Sequence, residues 1–75
     1  MNEELDLNKS IRARIGARIF IFRQRRGLTA EKLGELAGVA PNTIFRIENG
    51  EGCLAVTLFR LAMALGVELN EFFGN

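Results

Sequence analysis

Residues 29–50, TAEKLGELAGVAPNTIFRIENG, hold two short helical patterns separated by a break at Gly38. Apolar positions Leu33, Ala37, Val39, Ile44 and Ile47 repeat at helical spacing on both sides of the break, so two helices can share one small core. Thr29 carries the hydroxyl of a helix N-cap. Gly38 can take the left-handed conformation that ends a helix, and Pro41 presets φ for the first residue of the next one. Gly34 and Ala37 are small enough to let the two helices cross closely.

With Pro41 first, a step of 100° per residue puts Ile44 and Ile47 on one side of the second helix and Asn42, Phe45 and Arg46 on the other. An amide can pair two ways with adenine, a guanidinium two ways with guanine, and an apolar ring can touch a thymine methyl. The same pattern also fits an ordinary solvated face on which Phe45 makes a domain or dimer contact, and helical period alone does not separate the two.

Upstream of this unit, residues 1–10 show no sustained period and are expected to form a flexible arm, leaving 11–75 as one folded domain. Ser10 is the expected cap of a helix running from Ile11 to about Arg26, stopped by Gly27. Its buried stripe is Ile15, Ile19 and Phe22, with Arg12, Arg14, Arg18, Arg25 and Arg26 mostly outward. Phe20 and Ile21 break the stripe; they are expected under the arm beside Leu5 and Leu7, or against a second subunit. Downstream, Asn49 and Gly50 end the third helix. A fourth, from about Val56 to Leu65, buries Leu58, Leu61, Ala62 and Leu65 before Gly66, and a last helical turn from about Glu68 to Phe73 carries Leu69, Phe72 and Phe73. The chain reads as all-α.

At 75 residues, 48% of them hydrophobic, the chain is too apolar for disorder and has room for one core. Such a core gives only about 3 to 5 kcal/mol, so a partner chain is expected, with Leu69, Phe72 and Phe73 as its contact and one of the two phenylalanines belonging to the core. No apolar run approaches the roughly 20 residues of a membrane span, and the start lacks a basic segment followed by an apolar one. A cytoplasmic chain with no membrane partner is expected. There is no His and no Tyr, and Cys53 is the single cysteine. General-base, paired-thiol and zinc chemistry are therefore not expected, nor are an enzyme activity, a cofactor, a metal or a small-molecule substrate. The net charge of +1 conceals a basic middle: all ten Lys and Arg fall between Lys9 and Arg60 against four acids, a balance of +6. A polyanionic partner fits that middle.

The run Leu28-Thr29, Leu33-Gly34, Ala37-Gly38-Val39, Ile44, Ile47-Glu48-Asn49-Gly50, then Leu61-Ala62 and Ala64-Leu65-Gly66-Val67, resembles the Cro/phage-repressor helix-turn-helix family over about residues 11–73. The resemblance implies a five-helix, lambda-repressor-like DNA-binding domain: a homodimeric transcriptional regulator whose third helix lies in the major groove of double-stranded DNA, on pseudo-palindromic operators. Carried onto this chain, base reading falls to Pro41, Asn42, Thr43, Phe45 and Arg46, and backbone positioning to Arg18, Thr29 and Asn49. Among relatives, the chain is most similar to small controller proteins of restriction-modification systems, prophage regulators and antitoxins.

Three positions depart from that pattern. Ala30 stands where relatives usually carry a phosphate-gripping Gln; Glu51 and Gly52 replace the basic residues often found after the third helix; and the connector before Thr57 is one residue short. Arg18, Arg25 and Arg26 of the first helix are the expected substitutes. Glu48 near a helix C-terminus meets the negative end of the dipole, so a cation is expected beside it. The resemblance implies that this cation is Arg23. The alternative function is an antitoxin or other protein-interaction module using Phe20, Ile21, Phe72 and Phe73.

Overall fold

The computed structural model describes residues 2–74, with side chains described from Asn8 onward. It contains α1 (Asn2–Arg25), α2 (Ala30–Ala37), α3 (Pro41–Glu48), α4 (Ala55–Leu65) and a closing 3-10 turn (Leu69–Phe72), with no strand among the described residues. The fold is all-α. The expected count of five helices is corrected to four, the fifth element being a single 3-10 turn.

The start of α1 is also corrected. Backbone hydrogen bonding runs unbroken from Asn2, so Ser10 sits inside the helix and residues expected as an arm extend it. No Pro or Gly between Asn2 and Ser10 interrupts the run, and Glu and Leu there are good helix formers. A continuous helix places residues 5 and 20 about 22 Å apart along its axis, so the arm cannot fold back over Phe20 and Ile21, and both are exposed. The side chains of Leu5 and Leu7 lie outside the described residues.

The core is Ile19 from α1, Ala30, Leu33 and Ala37 from α2, Ile44 and Ile47 from α3, Leu61, Ala62 and Leu65 from α4, and Phe72. Ile15, Phe22 and Leu58, expected fully inside, are half-buried at its rim. Local chemistry fixes the joints. The Thr29 hydroxyl accepts the Lys32 backbone N–H at 3.0 Å and caps α2. Gly38, at φ 71°, ends α2, with the Val39 N–H returning to the Gly34 carbonyl at 2.9 Å. Gly34 must be bare because a Cβ there would run into the Val39 carbonyl. Pro41 then opens α3 without costing a hydrogen bond, since the first helical N–H has no intrahelical partner.

Candidate nucleic-acid interface

The site is built on α3, whose inner face is sealed. Ile44 and Ile47 are fully buried where α3 packs against α1 and α2. With these two inside, helical geometry leaves Pro41, Asn42, Phe45, Arg46 and Asn49 in solvent and Thr43 half-buried at the edge. Phe45 remains 49% exposed between an amide and a guanidinium. Thr29 is exposed at the start of α2; its oxygen accepts the Lys32 N–H, and its hydroxyl hydrogen remains to donate to a ligand.

A buried ion pair sets the angle at which α3 leaves the core. Arg23 Nε donates to Glu48 Oε2 at 2.7 Å and Nη2 to Oε1 at 3.0 Å, while Nη1 donates to the Leu28 carbonyl at 2.9 Å. The hydrogen bond to Glu48 pushes the Arg23 pKa above its ordinary value, against the opposing effect of burial. The pair thus ties the end of α3 to α1 and to the loop before α2. Close packing beside it depends on Gly16, where a Cβ would strike the Ile47 carbonyl.

Other expected site residues take different places. Arg18 donates from Nε to the Glu71 carbonyl and lies over the Phe22 ring at 5.6 Å, so it is tied to the 3-10 turn and not aligned with the α2–α3 unit. Arg26 lies against Gly66 at the end of α4: a Cβ there would be 2.7 Å from Arg26 Nη2. A cation at that helix terminus is favoured by the dipole. Arg25 also lies over the Phe22 ring, 5.9 Å from its centroid. On α2 the exposed Lys32 sits 3.6 Å from Glu35, a surface pair worth little.

Phe72, expected at a dimer contact, is corrected to core. It is 0% exposed, with its ring 6.1 Å from that of Phe22. Leu69 is half-buried beside it, and Phe73 alone of the three is exposed. The larger uncovered apolar surface is one that sequence reading missed. Along α4 and its cap, Leu54 is 72%, Phe59 54% and Met63 78% exposed, with Val56 beside them and Leu36 of α2 also outward. The signal was present: in α4, AVTLFRLAMAL, Val56, Phe59 and Met63 recur at i, i+3 and i+7 on the side opposite Leu58, Leu61 and Leu65, with Arg60 the one charge there.

Burial also pushes the Cys53 thiol pKa up, favouring the protonated form. Among the described residues no group of His, Cys, Asp and Glu could hold a metal ion, and no helix is long and apolar enough to cross a membrane.

Comparison with known proteins agrees with this geometry. The helix-turn-helix family model matches residues 19–72. A search of curated proteins gave no match. Among solved structures, the restriction-modification controller protein C.AhdI from Aeromonas hydrophila is similar, with a TM-score of 0.80 and 30% sequence identity over 83% of this chain and 96% of that one.

Proposed function

The chain belongs to the helix-turn-helix family, and from that premise we propose that it is a DNA-binding transcription regulator that lays α3 in the major groove of double-stranded DNA. One observation carries the reading: α3 hides Ile44 and Ile47 completely while presenting Asn42, Phe45 and Arg46 together to solvent. Asn42 and Arg46 read base edges, with Pro41, Thr43 and Phe45 shaping the contact. Thr29 and Asn49 hold the backbone on either side.

The regulator acts as a dimer on two-fold related half-sites whose centres lie about 34 Å apart or a multiple of that. Support comes from the apolar face of α4, which a chain of this size leaves uncovered. Similarity to a restriction-modification controller protein favours the same kind of role here.

The test is a salt titration of binding to a fluorescent duplex. Binding through several phosphates weakens steeply and linearly on logarithmic axes as salt rises. A flat response would instead favour the protein-interaction reading, for which Phe20, Ile21, Phe73 and the α4 face supply exposed apolar surface.

A further inference from the structure

The connector leaving α3, residues 51–54, brings one carboxylate, Glu51, and no cation. A groove-bound α3 creates a need for one there. Its eight residues make a rod about 12 Å long, and the major groove is about 12 Å wide. Its ends therefore come up against the phosphate walls, one of them beside this connector.

Several α1 cations are engaged elsewhere: Arg23 with Glu48, Arg18 with the Glu71 carbonyl, and Arg26 beside Gly66. Arg12 is placed differently. Its Nε donates to the Gly50 carbonyl at 3.3 Å, just past the end of α3. Its stem crosses Gly52 so tightly that a Cβ at residue 52 would lie 2.9 Å from Arg12 Cδ. Small residues permit this approach: a Cβ on Gly50 would already touch Ala13 Cα at 3.6 Å, and Gly16 lies under the last carbonyls of α3.

The bond through Nε fixes the direction of the guanidinium and leaves its two terminal nitrogens as donors. The side chain is exposed, and among the described residues no carboxylate pairs with it. A planar fork of donors matches a phosphate group. We propose that Arg12, positioned by the Gly50 carbonyl and the bare backbone of Gly52, grips a DNA phosphate beside the exit of α3. The assignment rests on the DNA-binding reading above. Arg12 precedes the segment, 19–72, that matches the family model.

The test compares the wild-type chain, Arg12→Gln, Gly52→Ala and the double variant. Each is titrated over a salt series with a duplex that the wild-type chain selects from a random-sequence pool, and with a scrambled duplex. Arg12→Gln should weaken both duplexes by the same factor, about tenfold at low salt, and flatten the salt slope by about one. Gly52→Ala puts a methyl in the path of the Arg12 stem, and Gly52 has no positive φ to strain. It should weaken binding in the wild-type background and add nothing in the Arg12→Gln background, with thermal melts unchanged in all four proteins. An unchanged slope in Arg12→Gln, or a further loss from Gly52→Ala on top of it, overturns the Arg12 role and leaves the DNA reading standing. A wild-type chain that selects no duplex overturns both.

Discussion

The guanidinium of Arg23 holds both carboxylate oxygens of Glu48, at 2.7 and 3.0 Å, with only 9% and 7% of the two side chains exposed. Either charge buried so far from water without the other would be strongly destabilising. The raised Arg23 pKa means that its contribution to stability is complete at any pH below the ordinary guanidinium value. That contribution fades only as pH rises through the still higher folded value, so it is constant across the neutral range. The pair is a fastener for α3 and not a pH sensor on its cationic side.

Removing one partner tests this. Glu48→Gln keeps the shape and leaves Arg23 an uncompensated charge, at a cost of about 3 kcal/mol or more. In a core worth about 3 to 5 kcal/mol that leaves little margin, so urea unfolding followed by circular dichroism should show a midpoint shifted strongly toward zero denaturant. An unchanged midpoint would mean that the pair contributes nothing.

Two glycine substitutions should separate steric contact from backbone strain. Gly16→Ala drives a methyl into the Ile47 carbonyl and should cost about 1 to 3 kcal/mol or more. Gly27→Ala has open space but a φ of +65°, and should cost only about 1 kcal/mol. Melting temperatures in the reverse order would contradict the packing of α1 on α3.

The α4 face supplies a third prediction. Phe59→Glu or Met63→Glu places a charge on a surface already in water in the single chain, so folding should be unaffected while self-association is lost. Sedimentation should show monomer for these variants at concentrations where the wild-type chain dimerises. Equal association in both would move the dimer contact elsewhere, with Phe73 next to be examined.

Cys53 gives a pH-dependent prediction. Burial raises its pKa, so folding favours the thiol, and the associated stability is full below the unfolded thiol value and declines as pH rises through the folded one. Alkylation near pH 8 should be slower in the folded chain than in urea. Equal rates would show an open thiolate.

The helix-turn-helix was legible because its punctuation is local. A Thr hydroxyl, a left-handed Gly38 and a leading Pro41 act through their own backbone, and the Ile44–Ile47 spacing fixes which side of α3 faces in. Long-range packing was not legible. Phe72 and Phe73 are adjacent and chemically identical, and only the packed core, with the ring of Phe22 beside it, decides which one goes inside. Arg18 and Arg26 read as outward cations placed for phosphate until α4 and the 3-10 turn close against α1. The α1 start was missed because Ser10 favours a cap yet is tolerated inside a helix when good helix formers precede it. The outward face of α4 was missed because the Leu58, Leu61, Ala62 and Leu65 stripe accounts only for the core side, and Arg60 interrupts the apolar residues opposite it.

Selection of duplexes from a random pool by the wild-type chain and by Arg46→Ala tests the central claim, that the outward face of α3 reads bases, most directly. The account predicts two related half-sites for the wild-type chain. For the variant it predicts lost preference at one base pair per half-site, with a cost of about 1 to 3 kcal/mol there. No shared sequence in the wild-type selection, or an Arg46→Ala variant that keeps the full preference, would contradict it.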